Sequence, residues 1–121
     1  MKAQNLVPLI PVADVERSIA FYHHLGFEAA NTFTADDASK PTWAWLRSGD
    51  AQLMLASASN PIVANQQAVL FYVYTGDVPA ARATLVEAGF NPGEITTPFY
   101  APRGEFRLID PDGYMVMITH T

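Results

Sequence analysis

The sequence predicts an α+β chain in which two βαβββ modules stand in tandem and curve a mixed sheet around a cleft. Three observations lead there. An internal repeat runs through the chain at a constant offset of 63 residues. Each copy carries the same helix start and stop. Each also has strand-like runs on both sides of its helix, more sheet than one helix can cover.

The first strand reads from the apolar run Leu6 to Val12. Asp14 follows as a helix N-cap, because its carboxylate can accept a backbone N–H of the first turn. Val15, Ile19 and Tyr22 recur at helical spacing, and Gly26 in Leu25-Gly26-Phe27 supplies the left-handed stop. Three further strands are expected near Ala29–Phe33, Thr42–Arg47 and Ala51–Ala56. The second copy repeats this: strand Val69 to Tyr74, cap Asp77, helix positions Val78, Ala81 and Leu85, and stop Gly89 in Ala88-Gly89-Phe90. Its later strands are expected near Glu94–Phe99, Glu105–Ile109 and Tyr114–Thr119. Without a gap, Leu46-Arg47-Ser48-Gly49-Asp50 meets Ile109-Asp110-Pro111-Asp112-Gly113, and Leu53-Met54-Leu55 meets Val116-Met117-Ile118. Residues 1–121 therefore read as one domain, with modules at about 4–57 and 68–121 and a Ser-, Asn-, Pro- and Gln-rich linker at about 58–67.

Composition narrows the function classes. Lys and Arg total seven against twelve Asp and Glu, a net charge of −5, so no basic face is available for nucleic acid. Cysteine is absent, which removes disulfides, thiolate metal sites and cysteine nucleophiles. No apolar run is long enough to span a bilayer, and Met1-Lys2-Ala3-Gln4-Asn5 lacks a signal-peptide core, so a cytoplasmic location is expected. No Ser/His/Asp set, Gly-rich phosphate loop or zinc-type His pair is in register. Asp36 and Asp37 fall in a polar loop, Thr34 to Pro41. Asp110-Pro111-Asp112-Gly113 is a turn sequence first.

Three stretches carry a family resemblance: Val12-Ala13-Asp14-Val15-Glu16-Arg17-Ser18-Ile19-Ala20-Phe21-Tyr22, Leu25-Gly26-Phe27 and Asp110-Pro111-Asp112-Gly113-Tyr114. With the duplicated organisation they resemble the vicinal oxygen chelate superfamily of glyoxalases, extradiol dioxygenases, fosfomycin resistance enzymes and bleomycin resistance proteins. Length, acidity, Phe21-Tyr22 and Trp43 with Gly49-Asp50 look most similar to the bleomycin resistance proteins. The resemblance implies a homodimer that sequesters a small molecule.

In metal-dependent members each copy contributes two ligands, usually His or Glu, from its first and last strands. Counting from the matched motifs places those positions on Val7, Met54, Leu70 and Met117, and the offset of 63 relates 7 to 70 and 54 to 117. Aliphatic and thioether groups do not suit Zn²⁺, Mn²⁺ or Fe²⁺, which want imidazole, carboxylate or thiolate donors. The expectation is therefore no metal, no cofactor and no catalytic residue. His23 and His24 are expected on the solvated face of the first helix, and His120 has the wrong strand parity to substitute.

Strand alternation supplies a different site. With Met54 and Met117 inward, Trp43, Trp45, Tyr72 and Met115 join them, and Arg47 and Gln52 lie at the edge. The loop Pro98-Phe99-Tyr100-Ala101-Pro102-Arg103-Gly104-Glu105 adds Phe99, Tyr100 and Arg103 at a mouth. Aromatic and thioether side chains suit a flat aromatic or heterocyclic ligand, a cationic antibiotic among the candidates. The expected activity is metal-independent binding. Two alternatives stand beside it: a glyoxalase-like lyase, isomerase or dioxygenase with a displaced metal, and a non-catalytic dimer whose aromatic residues only pack.

Overall fold

An aspartate starts each helix and a glycine stops it. In the computed structural model, which describes residues 1–121, Asp14 accepts the Arg17 N–H at 3.2 Å and Asp77 accepts that of Ala80 at 2.9 Å. These caps open α1 (Val15–His23) and α2 (Val78–Glu87). Beyond each helix, Gly26 and Gly89 take φ of +90° and +94°. The next amides fold back: Phe27 N–H donates to the Tyr22 carbonyl and Phe90 N–H to that of Leu85, both at 3.0 Å. A residue with a Cβ would strain at either glycine.

The chain forms two compact units, Met1–Ile62 and Val63–Thr121. The first unit holds β1 (Leu9–Val12), α1, β2 (Glu28–Phe33), β3 (Trp43–Ser48) and β4 (Ala51–Ser57) in a sheet ordered β1-β4-β3-β2. β1 runs parallel to β4 and the other pairs are antiparallel. The strand expected from Leu6 starts only at Leu9, since Pro8 has no N–H to give the ladder; its carbonyl still accepts from Met54. Val15, Ser18, Phe21 and Tyr22 of α1 are buried, and α1 packs on the sheet face made by Ile10, Val12, Ala44, Leu46, Leu53 and Leu55.

The second unit contains a short 3₁₀ turn (Ala64–Gln66), β5 (Leu70–Thr75), α2, β6 (Phe106–Ile109) and β7 (Met115–His120), ordered β5-β7-β6. Parallel pairing repeats with its register: Leu9 faces Met54 in the first unit and Tyr72 faces Met117 in the second, each shifted by 63.

Two expectations fail here. No strand forms over Glu94–Phe99; that segment touches β6 only through the Thr96–Glu105 bridge and a Gly93–Arg107 hydrogen bond. The pairing slips one residue between these contacts. Pro92 and Pro98 offer no N–H, and Arg82 of α2 takes the carbonyls of Pro92 and Gly93. The ungapped repeat also breaks at the last hairpin. Ser48 pairs with Ala51 across two residues, whereas Asp110 N–H donates to the Tyr114 carbonyl across three, with Gly113 at φ +89°. That extra residue shifts β6 by one, so the partner of Met117 is Arg107, not Leu108.

Candidate functional site

Each sheet has one face on its helix and one face without. Alternation in β3 decides which residues reach the helix-free face of the first unit. Ala44 and Leu46 are buried against α1, so Trp43, Trp45 and Arg47 point the other way. Register brings their neighbours: Trp45 faces Met54, Arg47 faces Gln52, and Trp43 faces Ala56 on one side and Phe33 on the other.

The indoles meet edge to face at 6.4 Å between centroids and 74°. Trp45 Nε1 donates to Gln52 Oε1 at 3.0 Å, and the Arg47 guanidinium lies 5.9 Å from the Trp45 ring centroid. Trp45 is thus held at its N–H by Gln52 and over its ring by Arg47. Trp43, Trp45, Gln52 and Met54 are half-buried, while Phe33 is 60 % exposed. This is an apolar, polarisable shelf of two half-buried indoles, one of them fixed by a hydrogen bond. Phe33 escaped sequence reasoning. The extra residue between Ala29 and Asn31 resets the parity of β2, and only the cross-strand partner shows which way Phe33 points.

The helix-free face of the second unit holds Leu70, Tyr72 and Tyr74 of β5, Met115 and Met117 of β7, and Arg107 and Ile109 of β6. Met117 is buried; Tyr72 and Tyr74 are exposed. A hollow of about 250 Å³ is lined by Leu70, Arg107, Met115 and Met117, and another of about 310 Å³ by Thr96, Glu105, Arg107 and Met117. Arg107 was missed, since the longer β6–β7 turn that sets it opposite Met117 breaks the ungapped repeat.

The loop before β6 divides its candidates. Phe99 is almost wholly exposed and packs edge to face on Tyr100 at 5.4 Å. Tyr100 donates its hydroxyl to Glu105 Oε1 at 2.9 Å, and that bond holds the phenol pKa above its usual value of 10.0. Arg103 is turned elsewhere. Its backbone N–H donates to His120 Nε2 at 3.1 Å, and its guanidinium contacts His120 Nδ1 and the Thr121 carbonyl. His120 is therefore more than an ordinary terminal residue: it anchors this loop. His23 and His24 are exposed, and His23 Nδ1 lies 3.0 Å from Glu28 Oε1. Asp110 Oδ1 accepts the Asp112 and Tyr114 amides at 2.9 and 2.8 Å, so this carboxylate builds its turn.

The four positions that the resemblance marks for metal ligands are Val7, ahead of β1, Met54 in β4, Leu70 at the start of β5, and Met117 in β7. None offers an imidazole or carboxylate, and no cluster of three or more His, Cys, Asp or Glu occurs. This donor set does not fit a hard or borderline divalent cation.

Two layered units with parallel outer pairing, a capped helix in each and an exposed aromatic shelf define a class. The chain belongs to the glyoxalase/bleomycin resistance protein/dioxygenase superfamily, whose family model matches residues 6–118. Among solved structures it is similar to a bleomycin resistance determinant encoded on transposon Tn5 (17 % identity, 98 % of both chains, TM-score 0.77). It also resembles TnmS3, an antibiotic-binding protein from Streptomyces sp. CB03234 (21 %, 99 % of this chain and 98 % of that one, TM-score 0.77). A third is a bleomycin-binding protein from bleomycin-producing Streptomyces verticillus, complexed with copper(II)-bleomycin (22 %, 100 % and 98 %, TM-score 0.71). At these identities the likeness carries the fold. No curated protein sequence matches the chain, and no helix is long and apolar enough to cross a membrane.

Proposed function

We propose that this protein is a metal-independent binder that sequesters a small aromatic or heterocyclic molecule, a cationic antibiotic in particular, without transforming it. The observation that carries this is the shelf of Trp43, Trp45, Phe33 and Met54. It is large, polarisable and uncovered by its own helix, and Trp45 is pre-set by Gln52 and Arg47. A ring laid on it gains stacking and burial without ordering a loose side chain. The net charge of −5 favours a cation, and two structural neighbours are named for binding bleomycin. On the second unit, Tyr72, Met115 and Met117 offer a contact surface of their own, and Phe99 and Tyr100 supply a second aromatic pair. Arg103 we assign to holding its loop. By resemblance to its family the protein works as a homodimer, so light scattering should return about twice the 13.2 kDa chain mass.

Intrinsic tryptophan fluorescence, titrated with bleomycin and a panel of cationic heterocycles in excess chelator, tests the reading. Saturable quenching is expected, and Trp43→Ala should weaken binding about tenfold, roughly 1.4 kcal/mol of lost stacking. A signal that stays silent across the panel would leave the aromatic side chains to packing alone. One equivalent of tightly held metal, with turnover lost on chelation, would make the protein an enzyme instead.

A further inference from the structure

Glu105 is a carboxylate buried to 4 % exposure with only half of its accepting capacity used. Oε1 takes the Tyr100 hydroxyl; Oε2 is shut away from solvent and has no hydrogen-bond partner. A buried carboxylate oxygen without a donor is costly, and folded proteins retain such groups where something else completes them. Arg107, two residues along the same face, is exposed and does not hydrogen-bond it. Glu105 lines the 310 Å³ hollow with Thr96, Arg107 and Met117, room for a small functional group.

The missing partner must be a donor, and a charged one matches an anion best. A divalent metal would need several protein ligands, and no cluster of three occurs. An organic cation needs only the one carboxylate. We propose that Glu105 is the specificity-determining acceptor for a protonated nitrogen, an ammonium or amidinium group, carried by the ligand, and that the hollow beside it receives that group. This rests on the ligand-binding reading above and names the chemistry it selects. Tyr100 fixes the carboxylate through Oε1 and leaves Oε2 for the incoming N–H. A neutral amide of the same shape offers Oε2 only an uncharged N–H and binds more weakly for that reason.

Benzamidine and benzamide share a ring and a shape but differ in charge, and they provide the probe. Added to the isotope-labelled full-length protein near neutral pH, benzamidine should shift the amide resonances of Thr96, Glu105 and Arg107. It should bind about tenfold tighter than benzamide, as a charge-assisted bond predicts. Glu105→Gln and Glu105→Met should abolish that preference with no loss of melting temperature, since each removes an unsatisfied buried charge. Tyr100→Phe, which keeps the carboxylate, should retain it. Equal binding of the two probes, or a preference that survives in Glu105→Gln, would overturn the inference. So would a large fall in melting temperature in both Glu105 variants, because Oε2 would then hold a structural partner. Bleomycin quenching of Trp43 and Trp45 separates the two proposals: quenching without amidine preference sinks only the role of Glu105, and preference without quenching sinks only the aromatic shelf.

Discussion

Trp45 illustrates how a single residue is prepared for contact. Its indole N–H is already satisfied by Gln52 and one side of the ring system lies near the Arg47 guanidinium, so it offers a ring surface at little entropic cost. Trp43, equally half-buried, is held by its edge-to-face contact with Trp45. Tyr100 differs again, since its hydroxyl is committed to Glu105. Hydrogen bonding to a carboxylate favours the protonated phenol and raises its pKa above 10.0. The stabilisation this bond gives is complete below pH 10 and is lost as pH rises through the higher folded value. A phenolate absorbance titration of the wild type minus that of Tyr100→Phe should therefore show one tyrosine ionising above pH 10. A difference curve centred at or below 10 would mean the bond does not form in solution.

At the scale of elements, the two hairpins separate what repeats from what diverged. The β3–β4 turn closes over Gly49-Asp50, where an added Cβ would meet nothing within 4 Å. The β6–β7 turn is one residue longer, and a Cβ on Gly113 would lie 2.2 Å from the Ala64 carbonyl oxygen of the 3₁₀ turn. Gly49→Ala should thus cost only the left-handed backbone term, roughly 1 kcal/mol. Gly113→Ala adds a steric clash with backbone and should cost about 3 kcal/mol, read by thermal or denaturant unfolding. Equal losses would show that the linker does not press on this turn. The same longer turn moves Arg107 onto the helix-free face and leaves Glu105 in phase with it. One inserted residue therefore gave the second unit charged groups where the first has Trp43 and Trp45.

For the molecule as a whole, charge sets the terms on which a ligand arrives. Seven cationic side chains against twelve acidic ones leave a net −5, spread over a chain with few basic groups. A cationic ligand is drawn by this field and by Glu105; a neutral one feels no net pull from the field and offers Glu105 only an uncharged N–H. Raising salt from roughly 0.05 to 0.5 M shortens the screening length several-fold. Benzamidine affinity should fall over that range while that of benzamide stays level, as followed by the same amide shifts. Parallel loss for both probes would trace the effect to the fold and not to the field.

Much of this was legible in the chain itself. Asp14, Gly26, Asp77 and Gly89 announce the helices because capping and left-handed turns depend on neighbours a few residues away. The offset of 63 was read from the sequence, and it recurs in the register of the parallel pairs. Alternation in β3 and β4 placed Trp43, Trp45, Arg47, Gln52 and Met54 on one face, since period two follows from the pleat alone. Tertiary structure decided the rest. Pairing between distant strands turned Phe33 toward Trp43, moved β6 by one residue and left Glu94–Phe99 outside the ladder. Burial and competition for partners stripped Arg103 of its expected place and left Glu105 Oε2 without a donor. Local rules act through covalent geometry and can be read in order along the chain. Register, burial and hydrogen-bond satisfaction depend on groups far apart in sequence, and these exist only once the chain has folded.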